Sequence, residues 1–220
     1  MQIATAITTA PRTENYIDGL LKALPISLMN CTVIAEPGSN PTPKDKTITH
    51  DKKKGCLHNW DFALRYLLSA SNAPFVCVLQ DDIEFTSSYL VNKLEPLKYI
   101  GFYSFYTPIF YKSKLKKVGW QHFNNGWNSV GACALLFPRK SAEQLINHPM
   151  YMDHLLSYSK NEQVDSIVCA TFKKIGIPTM YHNPSICRHI GDVSTIGHQP
   201  LTPVSYTHLR AHETVLDLVC

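Results

Sequence analysis

Three groups of side chains in this 220-residue sequence have the types and spacing to do chemistry. The first is Gln80-Asp81-Asp82, directly after the wholly apolar run Phe75-Val-Cys-Val-Leu79. Adjacent carboxylates repel, so at the end of a buried strand they need a cation or several donors beside them. Oxygen ligands of this kind suit Mg2+ or Mn2+, ions that usually accompany a phosphate-bearing substrate. An Asp after a strand is also an ordinary turn or cap residue, and the motif alone leaves both readings open.

The second group is Arg188-His189-Ile190-Gly191. A histidine between a short strand and a glycine turn can close on a site from its far side, whereas a lone His is more often a satisfied structural residue. The third is Glu162 with Asp165, one helical turn apart at the start of a helical pattern. Acids favour helix N-termini through the dipole. The functional alternative is a general base aimed into a pocket. Spacing does not separate the two acids, since both lie on much the same face.

The elements that must position these groups follow from periodicity. Residues 2–8 and 31–35 read as strands, and residues 16–24 carry apolar side chains at helical spacing. Residues 37–54, rich in Pro, Lys, Thr and Asp, read as a loop. A helix over 57–70 has Leu57, Trp60, Leu64, Leu67 and Leu68 along one face. The run 75–79 has no polar alternation, as expected of a central strand buried on both faces. Residues 87–97 read as helix, 101–111 as an aromatic extended stretch, 112–128 as loop and 130–137 as a second buried strand. Ser141 and Gln144 form a capping-box pattern for a helix through Asn147. Asn161 is placed to cap a helix over 162–174, which Gly176 ends. A last strand is expected over 178–181. Strands alternating with helices predict an α/β sandwich around a mostly parallel sheet, whose ligands gather at the carboxyl ends of its strands.

Composition narrows the function. Hydrophobic residues are 45% and charged residues 17%, enough to bury a core and too apolar for a disordered chain. The net charge of +4 is too mild for a nucleic-acid protein but suits a phosphate-bearing partner. No apolar run is long enough for a transmembrane segment, and the first residues lack the basic and apolar regions of a signal peptide. The seven cysteines form no CxxC pair and several sit in apolar runs. Buried free thiols in a reducing, cytoplasmic setting are expected, with neither a disulfide framework nor a zinc site.

The order of motifs adds a resemblance. The sequence runs from Thr8-Thr9-Ala10-Pro11-Arg12 through Glu36 and GCLHNWDFAL to VCVLQDDIEF. GWNSVGACALLFPRK, NEQVDSIV and NPSICRHIG follow. Over roughly residues 1–198 this resembles the GT-A-type, sugar-nucleotide-dependent glycosyltransferases, in particular the N-acetylglucosaminyltransferase IV group and its bacterial and phage relatives. The resemblance implies a GT-A-like, Rossmann-like α/β/α sandwich. It also implies an inverting, metal-dependent transfer from a nucleoside diphosphate sugar to a glycan or other hydroxyl acceptor. UDP-GlcNAc is named as donor by the resemblance alone.

Carried over residue by residue, the resemblance makes Asp82 and His189 ligands of Mn2+ or Mg2+. Gln80 stands where the usual Asp-x-Asp pattern has its first acid; Gln gives no charged contact, so either Asp81 shares that role or the metal binds more weakly. Thr8, Thr9, Pro11 and Arg12 would line the nucleotide, with Arg12 also meeting phosphate. Glu36 would accept from base or ribose, and Gly55 and Asn59 would approach from below. Residues 127–132, with Trp127 and Gly131, would wall the sugar. Asp165 would deprotonate the acceptor, with Glu162 its rival. Trp120 and Trp127 are candidates for stacking on sugar faces, while most aromatics of 102–110 are expected in the core.

Two other classes compete. A nucleotidyltransferase would need a Gly-rich phosphate loop with a basic residue near the N-terminus, which TTAPR is not. A non-catalytic nucleotide-sugar or glycan-binding module would be favoured by loss of Asp82, Asp165 or His189, and all three are present. Residues 204–220, VSYTHLRAHETVLDLVC, resemble translated sequencing-adapter read-through found at the ends of unrelated metagenomic reading frames. That implies a domain over residues 1–203 cut short at its C-terminus. It also removes His208, His212, Glu213 and Asp217 from functional argument.

Overall fold

A computed structural model describes residues 2–39, 41, 46–86, 101–108, 111, 114–122, 131–157 and 163–191. Its strands are β1 (Ile3–Thr9), β2 (Cys31–Ala35), β3 (Thr47–Thr49), β4 (Phe75–Gln80), β5 (Ile83–Phe85), β6 (Phe102–Ser104), β7 (Gly119–His122), β8 (Ala134–Pro138), β9 (Thr179–Asn183) and β10 (Cys187–His189). Its α-helices are α1 (Ile17–Ala23), α2 (Cys56–Ala70), α3 (Arg139–Ile146), α4 (Pro149–Leu156) and α5 (Val164–Ile175). Eight strands form one sheet in the order β3-β2-β1-β4-β8-β6-β9-β7. β3, β2, β1 and β4 run parallel, β8 is antiparallel to β4 and β6, β9 is parallel to β6, and β7 closes the edge antiparallel. The expected mostly parallel α/β sheet is the one observed.

Side chains of the central strands alternate between two cores, because successive residues of a strand point to opposite faces. On one face Ile7, Cys77 and Leu79 pack with Ile17 and Leu20 of α1 and with Tyr103 and Phe105. On the other, Ala6, Val76 and Val78 pack with Trp60 and Leu64 of α2 and with Phe172 of α5. The sheet is covered on both sides, which is why 75–79 has no polar alternation. Aromatic residues 102, 103 and 105 are buried, as expected.

Several boundaries differ from the sequence reading. β3 lies inside the expected loop 37–54 and pairs Ile48 with Ile34 of β2. Three residues are too few to show periodicity, and the pairing comes entirely from β2. β7 likewise lies inside the expected loop 112–128 and is held by β9. The capping box at Ser141 is not formed. α3 starts earlier, after Pro138, and the Ser141 hydroxyl accepts the Gly101 N–H at 3.1 Å. Arg139 instead serves the end of α2, giving Nε to the Ala73 carbonyl and Nη1 to that of Leu68, each at 3.0 Å. The expected last strand extends to Asn183, and β10 follows it to form a two-stranded antiparallel sheet with β5. α5 ends at Gly176, in the left-handed conformation at φ 77°, as the sequence predicts.

The helix expected over 87–97 lies outside the described residues, as do Trp127, Asn161, Glu162 and residues 204–220. Cys31, Cys56, Cys77, Cys133, Cys169 and Cys187 are free thiols. Among the described residues no helix is long and apolar enough to cross a membrane.

Candidate functional site

Thr8 and Thr9 end β1, Glu36 follows β2, and Asp81 and Asp82 form the turn between β4 and β5, so all three groups sit at the carboxyl edge of the parallel strands. Backbone bonds hold the turn there. Gln80 N–H donates to the Cys133 carbonyl at 2.7 Å and Asp81 N–H to the Thr8 carbonyl at 3.1 Å. The Thr8 hydroxyl donates to the Leu79 carbonyl at 3.2 Å.

Both acids are 3% exposed. The chain following β1 turns back through Pro11, which lies against Gly38, and brings Arg12 onto the pair. Arg12 Nη2 stands 3.0 Å from Asp81 Oδ1 and 2.8 Å from Asp82 Oδ2. The Thr9 hydroxyl donates to Asp81 Oδ2 at 2.6 Å. His189 Nε2 lies 3.0 Å from Asp82 Oδ2. The two carboxyls therefore separate. Burial pushes Asp81 up, against the pull of Arg12 and Thr9 and with the repulsion of Asp82. Burial also acts to raise Asp82, but the hydrogen bond and charge of His189, with Arg12, outweigh it and hold Asp82 below its ordinary value. Asp82 is the acid that keeps its charge most firmly.

His189 arrives by a specific route. Asn183 donates to the Leu115 and Lys117 carbonyls at 3.0 and 3.1 Å. The Ser185 hydroxyl accepts Thr107 N–H at 2.8 Å. These bonds fix the segment entering β10, where His189 pairs with Ile83 and Arg188 with Glu84. The Arg188–Glu84 ion pair is half exposed and contributes little stability. Beyond it, an added Cβ on Gly191 would lie 2.6 Å from Asp82 Oδ2, so the chain passes the acid at a distance only glycine allows.

Glu36, 2% exposed, accepts the backbone N–H groups of Lys54 and Gly55 at 2.8–3.1 Å. A carboxylate at the amino end of α2 satisfies orphan donors and complements the dipole. Asn59, on the first turns of α2, holds His50 Nε2 at 3.0 Å through Oδ1 and reaches the Thr9 carbonyl at 3.4 Å. It ties the ends of β1 and β3 together.

Asp165 stands in the first turn of α5. Its Oδ2 accepts Gly131 N–H at 2.7 Å and its Oδ1 accepts Ser166 N–H at 2.9 Å. Gly131 has φ 108°, and a Cβ there would lie 2.4 Å from the Tyr106 ring, so no other residue fits. Asp165 and Asp82 lie close enough to act on the same two buried thiols. Burial, then the charges of Asp165 and Asp82, push Cys56 up to about 11, with Arg12 opposing and Glu36 adding. Burial and then Asp82, Cys187 and Asp165 raise Cys133.

The structure thus brings Thr8, Thr9, Pro11, Arg12, Glu36, Gly55, Asn59, Gln80, Asp81, Asp82, Gly131, Asp165 and His189 to one edge of the sheet. Trp120 does not join them: it packs against Tyr103 and His182. Sequence reading missed Cys56, Cys133 and His50. The first lies in the quoted GCLHNW motif, the second in GACALLF, and His50 follows a three-residue strand that leaves no periodic signal.

The donor set decides whether a divalent cation fits. Asp82 Oδ1 is buried without a hydrogen-bond partner among the described residues. A buried, charged oxygen without a partner is costly, and a hard cation satisfies it. Among the described residues no group of three or more His, Cys, Asp or Glu is arranged to hold a metal ion. Two protein ligands are enough where substrate phosphates complete the shell.

No family model matches the sequence, and no curated protein does. Solved structures do. The mannosyltransferase PcManGT of Pyrobaculum calidifontis, in complex with GDP-Man and Mn2+, shares the fold at TM-score 0.56 and 14% identity, over 86% of this chain and 56% of that one. The apo-form glycosyltransferase GlyE of Streptococcus pneumoniae gives TM-score 0.48 and 12% identity, over 81% and 44%. The mannose-1-phosphate geranyltransferase of Thermus thermophilus gives 0.49 and 9%, over 83% and 74%. This chain spans little more than half of the mannosyltransferase. The likeness shows the fold, and the GT-A-like sandwich expected from the sequence is the one observed.

Proposed function

We propose that the chain is a metal-dependent glycosyltransferase that moves a sugar from a nucleoside diphosphate sugar to a hydroxyl acceptor with inversion. The observation that carries this reading is the convergence of Arg12, Asp81, Asp82 and His189 at the carboxyl edge of the sheet; Asp165, in the first turn of α5, acts on the same buried Cys56 as Asp82. The shared fold of a mannosyltransferase that binds GDP-Man and Mn2+ supports it.

In this reading Asp82 and His189 hold Mn2+ or Mg2+, which when bound neutralises the charge gathering on the departing nucleoside diphosphate. Arg12 stabilises the same charge through its guanidinium fork. Thr8, Thr9, Pro11, Glu36, Gly55, Asn59, Gln80 and Asp81 shape the nucleotide side, and Trp127 and Gly131 the sugar side. Glu36 also anchors α2, so its contribution to the nucleotide is partly to place Gly55 and Asn59. Asp165 takes the acceptor proton as the hydroxyl attacks, with its two backbone bonds aiming the carboxylate. Glu162, one turn earlier in sequence, is the other acid for that step.

The test is a thermal-shift panel of UDP, GDP, UDP-GlcNAc and GDP-Man, each with Mn2+ and with EDTA, followed by sugar transfer to hydroxyl acceptors. Stabilisation by one nucleotide family, enhanced by Mn2+, together with transfer supports the reading. Binding without turnover indicates a nucleotide-sugar-binding module, and the absence of binding removes the reading altogether.

A further inference from the structure

We infer that Arg12 makes metal binding conditional on the nucleoside diphosphate, by acting as the resident counter-cation of the acidic pair. The inference rests on the sugar-nucleotide reading above and adds to it an order of dependence between two ligands.

One guanidinium nitrogen serves both acids, since Arg12 Nη2 contacts Asp81 Oδ1 and Asp82 Oδ2. The Asp82 carboxylate is therefore already engaged by a fixed positive charge. Arg12 is held from behind as well, with its guanidinium carbon 5.9 Å from the centre of the Tyr16 ring. Two buried polar atoms of this pair have no hydrogen-bond partner among the described residues: Asp82 Oδ1 and Arg12 Nε. They are of opposite kind. A carboxylate oxygen calls for a cation, and a guanidinium N–H calls for an acceptor that is best anionic.

No single simple ion satisfies both. A divalent cation alone on Asp82 shares that carboxylate with Arg12, and like charges repel strongly at a site shielded from water. A diphosphate alone satisfies Arg12 Nε but leaves Asp82 Oδ1 bare and brings negative charge toward it. Cation and diphosphate together satisfy both atoms and balance the charge. Each then raises the affinity of the other by the same factor, since coupling between two sites is reciprocal.

Calorimetry separates the possibilities. Mn2+ alone, UDP and GDP each in EDTA, and Mn2+ with the better nucleotide are titrated into wild type, Arg12→Gln and Arg12→Lys. In wild type, saturating nucleotide should tighten Mn2+ by at least about tenfold. In Arg12→Gln the two single ligands should move in opposite directions: Mn2+ alone tightens by about tenfold, nucleotide alone weakens by a similar factor, and the coupling shrinks. Arg12→Lys keeps the charge and loses the fork, so Mn2+ alone stays as weak as in wild type while nucleotide alone weakens. A guanidinium with only a structural role would weaken both ligands together, and that result in a folded Arg12→Gln overturns the inference. If Arg12→Gln does not fold, tightened Mn2+ binding or unchanged nucleotide binding in Arg12→Lys overturns it. A wild type that binds neither UDP nor GDP under any condition defeats the glycosyltransferase reading itself, whereas failure confined to the Arg12 variants leaves that reading standing.

Discussion

His189 Nε2 lies 3.0 Å from Asp82 Oδ2, although 107 residues separate them in the chain. The contact is made by strand pairing: β5 continues directly from the acidic turn, and β10 binds it so that His189 stands opposite Ile83. The acid and the base are thus delivered by two short strands that neither core covers completely.

The opposite shifts of the paired acids give a stability test. Asp82 is held below its ordinary 3.8 in the folded chain, so its contribution is present above about pH 4 and is lost as the pH falls through its lowered value. Asp81 is raised, so its ionisation works against folding as the pH rises through that raised value. At pH 7, Asp82→Asn should cost about 3–5 kcal/mol by stripping Arg12 and His189 of a buried partner. Asp81→Asn should stay within about 1 kcal/mol of wild type. Chemical denaturation of both variants measures the difference, and equal losses would contradict the assignment.

Asp165→Asn should lower turnover by about 10²–10⁴-fold with donor affinity nearly unchanged, as expected when a proton acceptor is lost from an intact site. The Asn carbonyl still accepts one backbone N–H, so folding should survive. Glu162→Gln is the parallel measurement. An inactive Glu162→Gln beside an active Asp165→Asn reverses the two roles.

Gly191→Ala should disturb the Asp82–His189 contact without replacing either residue. The new Cβ meets Asp82 Oδ2 at 2.6 Å, and relieving that overlap moves either the acid or the chain bearing His189. Overpacking of this kind costs about 1–3 kcal/mol. The expected result is a folded protein whose nucleotide stabilisation no longer responds to Mn2+. A wild-type Mn2+ response would remove Asp82 and His189 from the proposed ligand set.

Deleting residues 204–220 should change stability by no more than about 0.5 kcal/mol, or roughly 1–2 °C for a chain of this length. Nucleotide binding should be unaffected. A larger fall in melting temperature would make that segment part of the domain.

The central strands were legible in the sequence because burial on both faces demands an unbroken apolar run, and residues 75–79 are one. α2 and α5 were legible from helical spacing of apolar residues, and the acidic turn from its place after β4. The site edge followed, since the carboxyl ends of parallel strands are where such a sheet leaves backbone and side chains open to a ligand. Those features depend on neighbours in the chain.

What tertiary structure decided depends on residues far apart. β3 and β7 are strands only because β2 and β9 offer them hydrogen-bond partners. Ser141 signals a helix cap, but Pro138 starts the helix earlier and leaves its hydroxyl for Gly101. The resemblance implies that Arg12 lines the nucleotide but not that it also rests on Asp81 and Asp82, as it does in the folded chain. Nothing local in TTAPR determines that contact. Burying two carboxylates side by side requires a positive partner, and the turn after β1 is what brings Arg12 within reach of both.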